Sequence, residues 1–292
     1  MFVIVKRKMI FIFIAIILFL IVFIINLIYN FIIIKRDYRI ITDKVNNNVK
    51  IAHLSDIHGI NTDYKNNKII EILEKEKPDV IVLTGDLVDA TDYSKGKYPI
   101  EKTLLWMKKL IKISPVYYVF GNHELALIED KTDRAYKFVK TIEEAGIKIV
   151  NNETDIITIN NEKIVLMGIQ EPQTVNSYDP FEKTIEEELR FVFQNVNSND
   201  YRILLSHRPE YFNIYSEYDI DLCLTGHAHG GQFRFPFIKG LYAPNQGWFP
   251  KYTKGEYNMN NTKMIVSPGL GNSCFKFRIF NPLEIGIISI EK

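Results

Sequence analysis

The histidines of this chain are concentrated in five short polar segments, which also hold two aspartates and one asparagine, and each segment follows an apolar run. Five of the six histidines lie in these segments. The segments hold Asp56 and His58, Gly85 and Asp86, Gly121 to Glu124, His207, and Gly226 to His229. A single histidine beside a turn is usually structural. Five of them beside carboxylates predict a metal site that is built from several segments.

The side chains in these segments supply oxygen and nitrogen ligands and no cysteine. This set suits manganese, iron or zinc better than calcium, because calcium prefers oxygen ligands alone. Two adjacent ions need a ligand that bridges them, and a carboxylate has two oxygens and a negative charge for this purpose. Asp86 is the candidate bridge. Two cations would also lower the pKa of a bridging water and give a hydroxide nucleophile near neutral pH.

Strand-like and helix-like runs alternate around the polar segments. Strands are predicted at 49–54, 80–83, 116–120, 156–159, 164–167, 203–205, 222–224, 264–266 and 284–290. Helices are predicted at 65–77, 100–113, 133–145 and 181–193. This alternation indicates an α/β domain, in which ligands bind beyond the carboxyl ends of the strands. Five strand ends would therefore bring the polar segments to one rim.

In their types and order, the segments resemble the motifs of the calcineurin-like metallophosphoesterase family: Asp56-Ile-His58, Gly85-Asp86, Gly121-Asn-His-Glu124, His207 and Gly226-His-Ala-His229. The resemblance implies two packed mixed β-sheets flanked by helices. It implies one metal ion held by Asp56, His58, Asp86 and His229, and a second held by Asp86, Asn122, His207 and His227. His123 would face the phosphate, where it would stabilise charge or protonate the leaving oxygen.

Further segments resemble a membrane-associated bacterial branch of this family. They are Gly230-Gly-Gln232, Phe235-Pro-Phe237, Tyr252 to Tyr257, and Ser267 to Gly271. The matches extend over most of residues 49–292, although Ala228 stands where the branch usually has threonine. Relatives in the branch include hydrolases of lipid-linked or sugar-nucleotide phosphodiesters and pyrophosphates. The resemblance therefore implies a phosphoesterase whose substrate is a small molecule or a lipid.

Some polar residues near the motifs have two interpretations each. The candidates for supporting a ligand or contacting the substrate are Asp89, Glu124, Arg208, Gln232 and Arg234. The alternative is a solvated loop position for Asp89, and ordinary surface charge or polarity for the last three. His53 alternates with Ile51 in the first strand, so packing is expected for it. Core packing is also the favoured interpretation of the aromatic stretch 233–249 with Trp248 and Phe249, and a lip that meets lipid is the alternative.

The segment from Met9 to Ile34 contains no charged residue. Because about 20 apolar residues span a bilayer core, a transmembrane helix is predicted. A cleaved signal peptide would have a shorter apolar region that ends in small residues. The expected plan is a basic N-terminus (1–8), a transmembrane helix (9–34), a linker (35–48) and a metallophosphoesterase domain (49–292). Lysine and arginine flank both ends of the helix, so the positive-inside rule leaves its orientation open. An extracytoplasmic catalytic domain is the working hypothesis.

The charge balance bears on the class of partner. The whole chain has a formal net charge of +1, and it becomes slightly acidic once residues 1–44 are set aside. A nucleic-acid binder usually has a basic footprint, so nucleic acid is not an expected partner. A nuclease with a local basic patch and a protein phosphatase remain alternatives, as does a non-catalytic membrane scaffold. A scaffold would be expected to have lost ligands, and here the set is complete. The oligomeric state does not follow from the sequence.

Overall fold

The computed structural model describes residues 2–59, 63–95, 100–129, 133–172, 181–194, 196–197, 199–235, 237–272, 275 and 277–292. Pro236, which belongs to one of the matching segments, lies outside the described residues. The α-helices within this part of the chain are α1 (Phe2–Tyr29), α2 (Asp63–Glu76), α3 (Ala90–Ser94), α4 (Ile100–Ile113), α5 (Asn122–Glu129), α6 (Asp133–Ala145), α7 (Phe181–Val192) and α8 (Phe212–Tyr215). Single turns of 3-10 helix lie at Pro209–Tyr211 and His229–Gly231.

The strands are β1 (Ile33–Ile41), β2 (Val49–Leu54), β3 (Val80–Thr84), β4 (Val116–Val119), β5 (Lys148–Ile149), β6 (Glu153–Ile159), β7 (Glu162–Gly168), β8 (Tyr201–Leu205), β9 (Leu222–Thr225), β10 (Tyr242–Ala243), β11 (Gly247–Trp248), β12 (Gly255–Met259), β13 (Thr262–Val266) and β14 (Leu283–Glu291). One six-stranded sheet has the order β1-β14-β2-β3-β4-β5, and another has the order β12-β13-β9-β8-β7-β6. Strands β10 and β11 form a separate short hairpin.

The two six-stranded sheets pack face to face, and helices cover their outer faces. In β2, Val49 and Ile51 join the apolar core between the sheets. Ala52 and Leu54 of the same strand join the core beneath α2, α4 and α6. Side chains alternate between the faces of a strand, so a strand that is buried on both faces is mostly apolar. The predicted α/β architecture of two packed mixed sheets flanked by helices, with one apolar N-terminal helix, is confirmed.

The polar segments follow strands that run in the same direction. In the first sheet, β2, β3 and β4 are adjacent and parallel. In the second sheet, β8 and β9 are adjacent and parallel. The loops after these strands hydrogen-bond to one another, since Asp56 N donates to Gly85 O and Gly226 N donates to His207 O, each at 3.0 Å. The carboxyl ends of these five strands thus form one rim, called the catalytic rim below.

Residues 35–41, predicted from sequence to belong to a linker, lie within β1. This strand pairs in parallel with β14 along its whole length, from Ile33 to Ile41. Lys35, Arg36 and Asp37 interrupt its apolar pattern, and charged side chains are typical of an edge strand. Arg36 Nε is paired with the buried carboxylate of Glu284 at 3.0 Å. The first sheet therefore begins only three residues after α1 ends.

Helix α1 ends at Tyr29, five residues before the end predicted at Ile34. Within the described chain it is the one helix that is long and apolar enough to cross a membrane, with a mean hydropathy of 3.4 over its most apolar stretch. Asn26 near the end of α1 and Asn30 just after it face the folded domain. Asn26 Oδ1 accepts a hydrogen bond from Phe280 N at 2.7 Å, and Asn30 Nδ2 donates to Arg278 O at 2.9 Å. Polar residues in this apolar run thus attach the helix to the domain.

Candidate metal centre

The catalytic rim brings all seven candidate ligands together. Asp56, His58, Asp86 and His229 are buried and can each place one ligand atom within 4.8 Å of the others, and they are called the first group. Asp86, His207 and His227 satisfy the same criterion. Asn122 joins these three residues, because its Oδ1 lies 3.2 Å from His207 Nε2. These four are called the second group. Asp86 belongs to both groups.

The two oxygens of Asp86 have different surroundings. Oδ1 accepts a hydrogen bond from His123 N at 3.0 Å, which fixes the orientation of the carboxylate. Oδ2 lies 3.7 Å from His58 Nε2 and 3.3 Å from His207 Nε2. One oxygen therefore faces the first group and the second group at the same time. This is the position that a bridging carboxylate would need.

Imidazole nitrogens converge within each group. His58 Nε2 lies 3.1 Å from His229 Nε2, and His227 Nδ1 lies 3.1 Å from His207 Nε2. Burial lowers the pKa of His58 to about 4, and it holds the pKa values of His227 and His229 well below the usual value. Neutral imidazole offers a lone pair, so these side chains are in the form that binds metal. The donor set therefore fits borderline divalent ions.

The charge balance of the cluster also favours a cation. Burial opposes ionisation of Asp86, but neighbouring histidines, His207 first among them, hold its pKa well below the usual value. Burial opposes protonation of His207 as well, yet the carboxylates of Asp86 and Asp56 raise its pKa to about 10. The carboxylates thus create a negative potential that retains a proton on His207. A divalent cation would compete with that proton for the same lone pair.

Contacts behind the ligands select the nitrogen that each ring presents. His207 Nδ1 lies 2.7 Å from Thr84 O, a backbone acceptor, so this nitrogen carries the proton and Nε2 faces the site. His227 Nε2 lies 3.0 Å from Asn245 Oδ1, which leaves Nδ1 facing the site. Such partners orient metal-binding histidines and fix their tautomers. Thr84 and Asn245 are candidate supporting residues that motif matching did not identify.

Five of the seven candidate ligands have left-handed backbone conformations, with φ between 46° and 64°: Asp56, His58, Asp86, His227 and His229. Residues other than glycine occupy this region at a cost of about 1–3 kcal/mol each, and such strain is concentrated at functional sites. Gly226 precedes one of these turns. A Cβ atom there would overlap the side chains of Ser55 and Asp56. The loops can approach so closely only because this residue has no side chain.

Glu124 supports the loops that carry the ligands. It is fully buried, and its Oε2 accepts hydrogen bonds from Asp86 N at 2.8 Å and Gly121 N at 2.9 Å. Burial, and then the charge of Asp86, raise the pKa of Glu124 to about 7. These contacts favour the supporting role for Glu124. His53 packs as expected: it is buried, and its Nε2 lies 2.8 Å from Thr84 Oγ1.

His123 lies beside the cluster and is only partly buried. Its Nδ1 accepts a hydrogen bond from Ala90 N at 3.1 Å, so in the neutral ring the proton is on Nε2. That Nε2 lies 3.9 Å from Asp86 Oδ2, the oxygen that faces both groups. His123 thus presents an N–H donor to the place where the two groups meet. Asp89 lies nearby and caps α3, because its Oδ1 accepts from Asp92 N at 2.9 Å.

The remaining weak candidates make contacts within the protein. Arg208 is buried and paired with the carboxylates of Glu171 and Glu210, so the interpretation as surface charge is wrong for it. Gln232 Nε2 donates to the backbone oxygens of Phe275 and Phe277 at 2.9 and 2.7 Å. Arg234 Nη1 donates to Gly230 O at 2.8 Å and to Thr253 Oγ1 at 3.0 Å. These contacts give each side chain a structural role.

Replacement of Asn245 by alanine is expected to weaken metal binding about 10–100-fold, because His227 would lose the acceptor that orients its ring. Turnover at saturating metal should fall much less. Competition with a chelator of known affinity would measure the change. Asn245→Asp keeps an acceptor and should restore binding, whereas Asn261→Ala, at an exposed asparagine outside the rim, should change nothing. Equal metal affinity in wild type and Asn245→Ala would contradict the role assigned to Asn245.

Comparison with known proteins agrees with these observations. The family profile described as calcineurin-like phosphoesterase matches residues 49–231. The uncharacterized metallophosphoesterase YkoQ of Bacillus subtilis is 26% identical over 240 residues, which cover 81% of this chain and 82% of the relative. The uncharacterized metallophosphoesterase Cj0846 of Campylobacter jejuni is 30% identical over 251 residues, 83% of this chain and 59% of its own length. The phosphodiesterase YaeI of Escherichia coli is 25% identical over 198 residues, 68% of this chain and 65% of its own.

A solved structure supports the fold. The crystal structure of TT1561 of Thermus thermophilus matches with a TM-score of 0.50 and 11% sequence identity. The match covers 77% of this chain and 91% of that chain. At this identity the likeness concerns the fold alone, which is the fold described above.

Proposed function

We propose that this chain hydrolyses a phosphodiester or pyrophosphate bond in a lipid-linked or nucleotide substrate. The chain belongs to the calcineurin-like phosphoesterase family and is a metal-dependent phosphoesterase. The observation that carries the proposal is the position of Asp86 Oδ2, one carboxylate oxygen with histidines of both groups within 3.7 Å. A relative that bears the name phosphodiesterase supports the diester.

The proposed cofactors are two divalent ions, drawn from manganese, iron and zinc. The first group (Asp56, His58, Asp86 and His229) would hold one ion, and the second group (Asp86, Asn122, His207 and His227) would hold the other. When bound, the ions would activate a water molecule as nucleophile and neutralise charge on the phosphoryl oxygens. Asp86 would keep the two groups together, because its negative charge offsets the repulsion between cations.

In this proposal, His123 is the residue that acts on the substrate. Its Nε2–H would donate a hydrogen bond to a phosphoryl oxygen or a proton to the leaving oxygen. The hydrogen bond from Ala90 N to Nδ1 supports this role, because it keeps the proton on the nitrogen that faces the site. Asp86 Oδ1 accepts from the backbone of His123 and so couples the donor to the ligands.

The proposed location is a single-pass membrane protein with an extracytoplasmic catalytic domain. Two of the basic residues after α1 have a structural reason to be there, because Arg36 pairs with Glu284 and Arg39 pairs with Glu291. The exposed basic cluster before the apolar run, Lys6 to Lys8, would then mark the cytoplasmic side. Protease treatment of intact cells should degrade the catalytic domain. Its survival there, together with its loss in lysed cells, would place it in the cytoplasm.

The function is tested with the full-length chain in detergent. Hydrolysis of bis(p-nitrophenyl) phosphate and of p-nitrophenyl phosphate is compared after treatment with a chelator and after addition of manganese. We expect the chelator to abolish turnover, manganese to restore it, and the diester to be the better substrate. Turnover that survives complete removal of metal would contradict the proposal. Faster cleavage of DNA, RNA or a phosphopeptide than of the small diester would favour a nuclease or a protein phosphatase.

A further inference from the structure

The last two turns of α1 contact residues 277–281, called the bridging segment. The rings of Phe23 and Phe277 stack with centroids 6.2 Å apart. Asn30 and Arg278 exchange two hydrogen bonds, since Asn30 Nδ2 donates to Arg278 O at 2.9 Å and Arg278 N donates to Asn30 Oδ1 at 2.8 Å. A third hydrogen bond joins Phe280 N to Asn26 Oδ1 at 2.7 Å. The helix is therefore attached to the domain through specific contacts.

The same segment contacts the candidate metal centre. The guanidinium of Arg278 is fully buried, and its Nη2 lies 3.4 Å from His229 Nδ1. Asn281 Nδ2 donates to His229 O at 2.7 Å. Residues 277–281 thus lie between the end of α1 and His229, one of the proposed metal ligands. The catalytic rim is separated from the helix by a single segment.

With α1 across a bilayer, as proposed above, its length places this attachment at the bilayer surface. The apolar run begins at Met9, after the basic residues Lys6 to Lys8. At 1.5 Å per residue, about 20 helical residues cover the ~30 Å hydrocarbon core, so the far boundary falls near Ile28. Ile28 lies between Asn26 and Asn30, the residues that bind the bridging segment. That segment therefore lies at the level of the lipid headgroups.

Aromatic side chains around the bridging segment are exposed to an unusual degree. They are Phe31 at 69%, Phe237 at 98%, Trp248 at 67%, Phe249 at 67% and Phe275 at 64%. This contradicts the prediction that Trp248 and Phe249 pack in the core. Contacts place two of these residues near the segment and the rim. The ring of Phe275 packs against that of Phe233, and the backbone of Phe233 pairs with Ile279 of the bridging segment. The turn that precedes Trp248 contains Asn245, which contacts His227 of the rim.

We propose that Phe31, Phe237, Trp248, Phe249 and Phe275 form a membrane-docking face that lies in the headgroup region of the bilayer crossed by α1. Exposed aromatic residues mark a binding surface. Trp favours the membrane interface, and Trp and Phe on the apolar face of a surface-bound element bury at the boundary between headgroups and acyl chains. Lipid is the occupant because α1 holds this face at the bilayer surface. In this position the catalytic site would hydrolyse a phosphoester in a lipid headgroup. This second part of the inference rests on the proposed function.

Fluorescence quenching tests the docking face independently of activity. The chain has two tryptophans, and Trp106 is buried at 3% exposure. The full chain is placed in phosphatidylcholine nanodiscs with or without bromine atoms near the top of the acyl chains. The emission of Trp248 is the difference between wild type and Trp248→Phe. We expect brominated lipid to remove most of this emission. Equal emission in the two lipids would overturn the proposal. It would indicate that a protein partner, and not lipid, covers these aromatic residues.

A matched probe controls for nonspecific contact with lipid. Phe191 on α7 is 59% exposed and lies outside the docking face. In the Trp248→Phe background, Phe191→Trp should show no quenching by brominated lipid. Equal quenching at both positions would overturn the assignment of the face, because lipid contact would then not be specific to it.

The substrate part is tested with the p-nitrophenyl diester of phosphatidic acid in the nanodiscs and with soluble bis(p-nitrophenyl) phosphate. Phe237→Asp should lower turnover of the lipid diester several-fold and leave the soluble diester unchanged, while Phe191→Asp should change neither. Equal turnover of the lipid diester by Phe237→Asp and Phe191→Asp would contradict the proposal that the substrate is a lipid headgroup. No turnover of either diester by wild type would contradict the proposed function, and the quenching result would still report on the docking face.

Discussion

Replacement of Asp86 by asparagine is expected to lower turnover of bis(p-nitrophenyl) phosphate by at least about 10³-fold, the upper range for loss of a preorganised electrostatic contact. The reason is that Asp86 Oδ2 faces His58 and His207 at once, so one substitution weakens both groups. The amide removes a negative charge from a buried cluster of histidines, and both ions should bind more weakly. Turnover under saturating manganese and metal content by mass spectrometry would be measured together.

The matched control for this variant is Asp43→Asn. Asp43 is exposed in the turn between β1 and β2, and its replacement changes the net charge of the chain by the same amount. We expect wild-type turnover and metal content in this control. If Asp86→Asn retained the full metal content and most of its turnover, Asp86 would not bridge the groups. A loss of metal restricted to one ion would mean that Asp86 serves only one group.

Replacement of His123 by alanine is expected to lower turnover about 10²–10³-fold, within the range for loss of a general acid. Metal content should stay close to that of wild type, because His123 belongs to neither ligand group. Its Nδ1 is held by Ala90 N, so the ring offers its Nε2–H to the substrate. The same measurements of turnover and metal content that serve for Asp86→Asn would separate the two roles.

A series of aryl phosphodiesters with leaving phenols of increasing pKa would sharpen the test of His123. If Nε2–H protonates the leaving oxygen, the loss in His123→Ala should grow as the leaving phenol becomes more basic. His123→Gln keeps an acceptor for Ala90 N and should show the same trend without restoring the proton. A uniform loss across the series would point to charge stabilisation. Loss of metal equal to that in Asp86→Asn would refute the division of roles.

Much of the fold could be predicted from local pattern. The bounds of α4 and α6 and those of β2 match the prediction, because each segment has one clear period and clear end signals. The strands of the rim are mostly apolar, since they are largely buried on both faces. By contrast, the sequence predicts a linker for residues 35–41 of β1 and the transmembrane helix for Ile33 and Ile34. The segment is recognisable as a strand only beside β14, whose residues follow it by about 250 positions in the chain.

The candidate ligands could also be chosen from sequence, because the chemistry of a metal site restricts residue types and strand ends restrict their positions. Their supporting residues could not. Asn245 orients His227 from a loop without a motif, and Arg278 reaches His229 from residues 277–281, which also contact α1. Such contacts join segments that are far apart in the chain, so they depend on the tertiary structure.

The sequence by itself determined the family, the α/β class, the apolar helix and the residues able to bind metal, because each of these depends on residue type and local spacing. Tertiary structure alone decided that Asp86 Oδ2 faces both groups and that α1 ends against residues 277–281, which contact His229. It also decided that Trp248 and Phe249 are exposed, where composition favoured the core. Exposure depends on which surfaces remain uncovered after packing, and an aromatic residue has the same local signature in a core and at a membrane surface.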